Sequence, residues 1–520
     1  MSARTRITLL ALAVAAAATV AVTPAICAAP PPAVLKPLAG SVTLTPKLLL
    51  QLVVSRSAEV RYSRAQIEVA GELSKAEEAL YEVVLFGNGR RDGGERQRTV
   101  EERISSIATS RLNVLDELNS TAEVGIRERL PTGADLSLSY RLRERRNNII
   151  GSGAAGDTEY DGAIVLNFKQ PLLKGAGNKV VETDLRVSRL EYRIATLQYR
   201  QQLLKTGNDA LALYWQLYRA HEVSAIRQRA LDFAQKVQAD TAARIDAGKL
   251  AASNGIESKA AVLLREVEQI RAQQGVREAE SRLATVLNIA GLEQSGITLV
   301  LPTGAPNPTA FNLGTAKWRY EHALERWPAL SIAQLRAEQA GLRLDFARNQ
   351  SLPTLDLLIT RSNTGLSNEN DIARTVTEGA RYQNWSIGLN VEVPLEGNQR
   401  ARSQARAQEA RVRQANIEID SIRTALGNDV RSRWDQARGG QDELARMQGD
   451  IDLRNELLRI EKVRYDAGMA PLSQLLQRES ELTESRQRLV ESAARLGQAN
   501  DALLFADGSL LDHYAITLKD

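Results

Sequence analysis

The chain repeats itself after about 220 residues, and this duplication most limits what it can fold into. Residues 244–248 read Arg-Ile-Asp-Ala-Gly, and residues 464–468 read Arg-Tyr-Asp-Ala-Gly. Further upstream, Ile-Val-Leu-Asn at 164–167 is matched by Ile-Gly-Leu-Asn at 387–390. Each copy is too long for one unit of a solenoid, so the sequence predicts two large copies of one strand-and-helix unit.

Each copy begins with a pair of segments in which apolar and polar residues alternate. They span residues 134–143 and 160–169 in the first copy, and 354–362 and 385–393 in the second. A period of two over about ten residues is typical of a tilted strand that crosses a bilayer. An ordinary half-buried antiparallel sheet has the same pattern, because the barrel signal of one strand is weak.

The residues before the first strand pair have a less regular pattern. Residues 47–82 are predicted to be helical, and residues 87–94 have the Gly-rich composition of a turn or loop. A strand over 121–129, followed by a turn at 130–133, predicts an extra hairpin before the first pair. The role of residues 87–120 is left open.

Two long helical stretches follow the strands of each copy. Residues 181–290 predict one helical hairpin, and residues 399–506 predict a second. In the first hairpin an apolar residue recurs every seven positions, as in a coiled coil. The residues of this seam are Leu190, Leu197, Leu204, Leu211 and Tyr218.

The repeated Asp-Ala-Gly marks the turn between the two helices of each copy. Glycine adopts the left-handed conformation that ends a helix, so Gly248 and Gly468 are predicted to close the first helices. Ser253 and Ser473 are predicted to cap the second helices, and Pro471 suits a first helical turn. The sequence therefore predicts two antiparallel helical hairpins, each with a tight tip.

The composition favours long thin helices and offers no catalytic motif. Aromatic residues make up only 4% of the 520 residues, whereas large globular cores rely on them. The 67 basic and 63 acidic residues form a mixed surface, which excludes a nucleic-acid footprint. Residues 151–156 match G-x-G-x-x-G but precede a strand, so they are interpreted as a loop. We predict no enzyme, no cofactor and no metal site.

The N-terminus predicts export. Arg4 and Arg6 precede an apolar run over residues 7–22 and small residues near 25–29, which is the order of a secretory signal peptide. The run is too short and Ala-rich for a membrane anchor. We therefore expect a signal peptide at 1–29 and a proline-rich leader at 30–46. Whether Cys27 is lipidated is left open, because Ile26 does not fit a lipoprotein signal.

The chain resembles the TolC family of outer-membrane efflux and secretion channels. The resemblance lies in the order of its elements: two strands, a long helix, a Gly turn and a second long helix, all duplicated behind an export signal. Besides the two tips, the motifs that carry the resemblance are Gln-Pro-Leu-Leu-Lys-Gly at 170–175, Val-Pro-Leu at 393–395 and Leu-Asn-Ile-Ala-Gly at 287–291. The resemblance covers about residues 45–508. It places the repeats at 47–300 and 301–508, with a C-terminal tail at 509–520.

The resemblance implies a mostly α fold with a transmembrane β part. In such a homotrimer each chain gives four strands to one 12-stranded outer-membrane β-barrel, and its helices to a long periplasmic α-barrel. Physics independently favours partner chains, because four strands cannot close and a membrane does not tolerate open strand edges. Apolar strand residues would then face outer-membrane lipid. Five polar residues are expected to line the barrel lumen: Asp135, Asp161, Asn167, Asn390 and Glu392.

The implied function is a passive exit duct of a tripartite efflux pump or a type I secretion system. The helical tips would contact a periplasmic adaptor (membrane fusion) protein, and an inner-membrane transporter would supply the energy. The adaptor-contact candidates are Arg244, Asp246, Gly248, Ser253, Arg464, Asp466, Gly468 and Ser473. The same end would constrict the pore, with candidates Glu257, Gln474 and Gln477. The glutamines depart from the acidic ring of the family, which leaves ion selectivity open.

Two other interpretations of the sequence stay open. The chain could be a periplasmic coiled-coil scaffold or tether without a membrane barrel, and the residues at the tips could be ordinary solvated helix ends. The sequence names neither the transported substrate nor the particular adaptor and pump.

Overall fold

The computed structural model describes residues 40–104, 113–149, 158–289, 297–300 and 311–516. They form two compact units, the first of which contains residues 71–190 and 338–413; the rest of the described chain forms the second. The predicted signal peptide, most of the leader, Cys27 and the Gly-rich match at 151–156 lie outside the described residues.

The described elements alternate between short groups of strands and long helices. The strands are β1 (Gly40–Thr43), β2 (Val84–Gln97), β3 (Val114–Arg129), β4 (Asp135–Asn147), β5 (Thr158–Pro171), β6 (Ile297–Val300), β7 (Thr354–Ser367) and β8 (Tyr382–Glu392). The helices are α1 (Pro46–Arg56), α2 (Ala58–Glu78), α3 (Val100–Ile104), α4 (Asn178–Val181), α5 (Thr183–Asp246), α6 (Ala252–Val286), α7 (Ala316–Arg326), α8 (Pro328–Gln350), α9 (Asn370–Glu378), α10 (Gln399–Asp466), α11 (Leu472–Ala506) and α12 (Leu510–His513). The predicted class, mostly α with a β part, is confirmed.

The first unit contains one antiparallel sheet with the spatial order β2-β3-β4-β5-β7-β8. The four predicted strands are β4, β5, β7 and β8. The prediction of four strands per chain is too low for this sheet, because a hairpin of β2 and β3 extends it to six. Residues 87–94 were expected to form a turn, and they lie within β2 instead. Their glycines and charges hide the strand pattern, but pairing to β3 along fourteen residues stabilises it.

This hairpin is an insertion in the first copy. Thr45 caps α1 by accepting a hydrogen bond from the Leu48 amide, and Thr315 caps α7 in the same way from the Trp318 amide. Both helices have 11 residues, and the helices that follow them have 21 and 23. After α8 the chain enters β7 almost at once, whereas after α2 it first forms β2 and β3. The duplicated elements therefore flank the insertion on both sides, with α1 and α2 before it and β4 and β5 after it.

The second unit is built on the coiled-coil seam of α5. Leu204, Leu211 and Tyr218 are buried, as is Leu190 in the first unit, whereas Leu197 of the predicted seam is half-buried. Within the second unit, Leu204 and Leu211 pack in one apolar cluster with residues of α1, α11 and α12, among them Leu49, Leu50, Leu504 and Leu510. A fully buried aromatic residue, Tyr214, lies in the same cluster.

The parallel pair β1 and β6 forms a separate two-stranded sheet in this unit.

The ends of the helices agree with the glycine prediction but not with the serine prediction. Gly248 and Gly468 have φ values of 68° and 73°, in the left-handed region. The residue that precedes α6 as its N-cap is Ala251, and the N-cap of α11 is Pro471, so neither cap has a side-chain hydrogen bond. Ser253 and Ser473 lie at the second helical positions, because each helix starts earlier than expected.

Candidate functional site

The six-stranded sheet has one apolar face and one polar face. Residues paired across an antiparallel ladder point to the same side of the sheet. The register pairs Leu138 with Leu166, Ile359 with Ile387, and Leu357 with Leu389. Following it through all five ladders defines the apolar face by the residues Leu85, Val124, Ile126, Leu136, Leu138, Tyr140, Leu142, Ile164, Leu166, Phe168, Leu355, Leu357, Ile359, Trp385, Ile387, Leu389 and Val391. One charged residue of β7, Arg361, lies on the same side, paired with Leu166 and Trp385.

Most of this apolar face has no protein cover within the chain. On β8 the side chains of Trp385, Ile387, Leu389 and Val391 are 75%, 63%, 65% and 62% exposed. Large contiguous apolar patches are rare on monomeric soluble proteins, and they mark surfaces that contact a membrane or another protein.

A short helix covers the apolar face only near the loop ends of β5 and β7. Thr377 of α9 donates a hydrogen bond from its hydroxyl to the Gly162 carbonyl oxygen at 3.2 Å. A Cβ atom at Gly162 would lie 2.7 Å from the Thr377 hydroxyl oxygen, and a Cβ at Gly365 would collide with the Ala373 carbonyl oxygen. The two glycines therefore allow α9 to lie directly on the sheet, which confines the bare apolar surface to the remaining length of the strands.

The polar face carries all five residues predicted to line a lumen. The register pairs Asp135 with Lys169, Arg143 with Asp161, Asn167 with Thr360, Asp356 with Asn390, and Thr354 with Glu392, and all of these share one side.

Two contacts order the middle of this polar face. Thr360 donates a hydrogen bond to the Asn167 side-chain oxygen at 3.1 Å, and Lys169 forms an ion pair with the nearly buried Asp356 at 3.1 Å. The common side of the five predicted residues follows from the register.

Sequence reasoning missed much of the positive charge on the polar face. Arg141, Arg143 and Arg145 alternate along β4 and lie on the polar face opposite Ala163, Asp161 and Glu159. The predicted strand ended at residue 143, two positions before the last of these arginines. The strand continues to Asn147 because β3 and β5 pair with it on both sides.

The two predicted tips have the same backbone geometry. In each, the N–H three residues after the last helical residue donates to the carbonyl oxygen five residues earlier, from Lys249 to Arg244 and from Met469 to Arg464. With the Gly248 and Gly468 amides bonded three residues back, these are Schellman motifs. The repeated Asp-Ala-Gly is therefore a helix stop at both positions.

The structure brings the two tips of one chain together. Arg244 forms an ion pair with Asp466 at 2.7 Å, and its guanidinium lies 5.0 Å from the centre of the Tyr465 ring. The Thr241 and Tyr465 hydroxyls are 3.3 Å apart. Below them, Tyr465 packs with Val237 and with apolar residues at the start of α11.

The duplicated arginines have different partners. Arg464 forms its ion pair with Glu461 on its own helix at 3.3 Å, whereas Arg244 reaches the other tip. The remaining tip and constriction candidates are exposed, and the structure does not gather them into one cluster: Asp246, Gly248, Ser253, Glu257, Gly468, Ser473, Gln474 and Gln477.

A buried ionic network links α6 and α11 behind the tips. Arg265 forms an ion pair with Glu479 at 2.7 Å, and their side chains are only 10% and 7% exposed. Glu268 accepts from both Arg265 and Arg227, and the Thr483 hydroxyl donates to Glu479 at 2.6 Å. Charges on a helix surface look alike in sequence whether solvated or buried, so no sequence pattern identified this network.

A second buried polar group lies far along α11. Asp501 accepts hydrogen bonds from the Trp215 indole and from the Tyr514 hydroxyl, each at 2.7 Å. Burial raises the pKa of Asp501 to about 6, although these two hydrogen bonds oppose the shift. The pKa of Tyr514 is raised by burial and by the neighbouring carboxylate.

Within the described residues, no group of three or more His, Cys, Asp or Glu side chains could hold a metal ion.

In the part of the chain that the structure describes, every helix is too short or too polar to cross a membrane.

Outer membrane efflux proteins are similar to this chain in sequence. Residues 319–509 match the model of the family described as outer membrane efflux protein. The protein CyaE of Bordetella pertussis is 25% identical over 397 residues, covering 75% of this chain and 79% of CyaE. The outer membrane efflux protein BepC of Brucella suis is 22% identical over 397 residues, covering 76% and 82%.

Solved structures share the fold. The crystal structure of CusC aligns with a TM-score of 0.63 at 13% identity, over 90% of this chain and 92% of CusC. The chain is thus similar in fold to CusC, and similar in sequence to outer membrane efflux proteins, which confirms its predicted resemblance to TolC-family channels.

Proposed function

We propose that this chain is the outer-membrane exit duct of a tripartite efflux pump or type I secretion system. It conducts substrate passively, as a homotrimer that joins a periplasmic adaptor and an inner-membrane transporter. The bare apolar face of the sheet is the single observation that carries the proposal. Water would make such a face costly, at roughly 25 cal/mol for each Å² of apolar surface, whereas lipid removes that cost.

The sheet supports a barrel wall rather than a flat membrane surface. Its polar face cannot contact lipid, since a charged residue near the bilayer midplane costs about 2–4 kcal/mol. A closed barrel places this face against water in a lumen, where Asp135, Asp161, Asn167, Asn390 and Glu392 line the channel together with Arg141 and Arg143. Copies of the chain are required because open strand edges are not tolerated in lipid.

The long helices also support an assembly of several copies of the chain, because they too expose apolar surface. On α6 an exposed apolar stripe recurs with helical spacing: Ile256, Leu263, Val267 and Ile270. On α10 a second stripe is formed by Leu453, Leu457, Ile460 and Val463. Neighbouring copies that pack on these stripes would extend the coiled-coil layer of each chain into a helical barrel.

The tips are assigned to the adaptor and to the constriction. Arg244, Asp246, Gly248 and Ser253 form the first contact region, and Arg464, Asp466, Gly468 and Ser473 form the second. Glu257, Gln474 and Gln477 are exposed in the first two turns of α6 and α11, where side chains of several copies can meet around an axis. The predicted signal peptide at 1–29 exports the chain to the periplasm.

Fractionation of the full-length protein with crosslinking tests this function. We expect it in the outer-membrane fraction, as a trimer after detergent extraction, with photocrosslinkers at Ser253 or Ser473 capturing an adaptor. The matched control places the crosslinker at exposed Glu369, in the loop that precedes α9. A monomer in the soluble periplasmic fraction would contradict the proposal and favour a periplasmic scaffold.

A further inference from the structure

We propose that the barrel closes through β8 of one copy and β2 of the next, so that the inserted hairpin is part of the barrel wall. The partner at each edge is a second copy of this chain. The inference rests on the proposed function, because it assumes that the sheet forms a membrane barrel.

The two free edges of the sheet are β2 and β8. Among the described residues, each of these strands is paired on one side only. The edge of β4 that would be free without the insertion is occupied by β3 along thirteen residue pairs, from Glu117 with Asn147 to Arg129 with Asp135. If β8 of a neighbour paired with β4, all thirteen pairs would have to break. Pairing with β2 breaks none.

The directions of the edge strands are compatible with closure. Every ladder in the sheet is antiparallel, and the sheet has an even number of strands. The first and last strands therefore run in opposite directions, so β8 meets the β2 of a neighbour as an antiparallel partner. The edges are also similar in length, with 14 residues in β2 and 11 in β8.

The apolar face continues across the inserted hairpin. Leu85 is paired with Ile126, Ile126 with Leu138, and Leu138 with Leu166, so one apolar row crosses four strands. On β7 the row is interrupted by Arg361, and it resumes at Trp385 of β8. Leu85 and Ile126 are 68% and 45% exposed. An extension that folded into water would not need this row, whereas a wall in contact with lipid does.

The hairpin is also fitted closely to its neighbour strand on the polar face. Gly125 of β3 is paired with Phe86 of β2 and with Ser139 of β4. A Cβ atom at Gly125 would lie 2.7 Å from the Phe86 ring and 2.7 Å from the Leu138 carbonyl oxygen. The aromatic ring thus covers a glycine across the ladder, a pairing that pins strand register.

Closure through β2 changes the size of the barrel. Each copy contributes six strands, so three copies form a barrel of eighteen strands rather than twelve. Barrel diameter grows roughly linearly with strand number, so the lumen at the sheet would be about 1.5 times as wide. A wide wall suits large or fully hydrated cargo, and it leaves selection to narrower parts of the duct.

Disulfide crosslinking between copies distinguishes the two closures. In the full chain with Cys27→Ser, Ser386→Cys on the polar face of β8 is combined with Asn88→Cys, Arg90→Cys or Asp92→Cys on the polar face of β2. The three positions on β2 test three neighbouring registers of the pairing between β8 and β2. The matched set combines Ser386→Cys with Ser139→Cys, Arg141→Cys or Arg143→Cys on β4. Disulfides need Cβ atoms within about 4.5 Å, whereas β4 would lie three strands from the neighbour's β8, roughly 14 Å away.

We expect covalent dimers from the β2 set and none from the β4 set. Dimers from the β4 set would overturn the inference and leave the proposed function standing. The same holds if neither set forms dimers in protein that still conducts ions in a bilayer. Protein that neither enters the outer membrane nor conducts would overturn both. As a second measurement, deletion of residues 84–129 should make the β4 set crosslink.

Discussion

Arg244 and Asp466 lie 2.7 Å apart and join the two unlike tips of one chain. Their side chains are 29% and 49% exposed, and such pairs contribute only about 0.2–1 kcal/mol to stability. A contact this weak can hold one arrangement of the tips without preventing another. It is suited to a constriction that opens when an adaptor binds.

The first prediction concerns this pair. Arg244→Ala removes the ion pair and the contact with the Tyr465 ring, so we expect a larger single-channel conductance with little change in melting temperature. The duplication offers a matched control in Arg464→Ala, because Arg464 pairs with Glu461 on its own helix. Equal conductance changes in the two variants would argue against a link between tips.

The second prediction tests the two faces of the sheet with adjacent residues. Leu389→Arg places a charge on the apolar face, which should cost about 2–4 kcal/mol near the bilayer midplane and lower the yield of folded protein in the outer membrane. Asn390→Arg places the same charge on the polar face, so the yield should stay unchanged while the ratio of cation to anion permeability falls. The measurements are heat modifiability on gels and reversal potential. Similar effects of both substitutions would contradict the assignment of faces.

The third prediction concerns the buried ion pair behind the tips. Arg265→Ala leaves Glu479 buried with its hydrogen bond from the Thr483 hydroxyl but without its ion pair, and breaking a buried pair typically costs about 3–5 kcal/mol. We expect a clear fall in melting temperature. Arg459→Ala is the control, because its pair with Glu456 is more than half exposed on both sides and should contribute little to stability. Equal melting temperatures would show that α6 and α11 do not depend on the network.

The fourth prediction follows from the raised pKa of Asp501, which is about 6 in the folded chain. An acid whose pKa rises on folding favours the folded state when it is protonated. Its contribution is therefore full below the ordinary pKa near 4 and is lost as pH rises to about 6. The shift corresponds to roughly 3 kcal/mol.

Asp501→Asn tests this pH dependence. The amide can accept from the Trp215 indole and donate to the Tyr514 oxygen, so both contacts can persist. Relative to the variant, the unmodified protein should lose melting temperature between pH 4 and pH 6 and remain level above that range. A constant difference between the two proteins across this range would contradict the prediction.

The helical hairpins were accessible from sequence because two independent signals coincide in them. The seven-residue seam from Leu190 to Tyr218 predicts the buried side of α5, and the glycines at 248 and 468 predict where helices stop. The prediction that Ser253 and Ser473 cap the second helices was wrong for a local reason. Ala251 and Pro471 already have the extended backbone that precedes a helix, so α6 and α11 start before the serines.

The inserted hairpin could be derived only in part from local pattern. The predicted strand over 121–129 lies in β3 and the predicted turn at 130–133 follows it, but β2 was not predicted. Residues 87–94 contain four glycines and three charged arginine and aspartate side chains, which individually favour turns. They form a strand because β3 supplies a full ladder of partners, and tertiary pairing overrides such preferences. The burial of Asp501 and of the Arg265–Glu479 pair was equally hidden, since both depend on which helices pack together.

Conductance of the purified full-length protein in a planar lipid bilayer tests the central claim most directly. An exit duct predicts discrete conductance steps that appear only after trimers are added, with Leu389→Arg lowering the frequency of insertion and Asn390→Arg changing ion selectivity. A folded trimer that never produces steps, under conditions in which a control porin inserts, would contradict the claim that this chain forms a membrane channel.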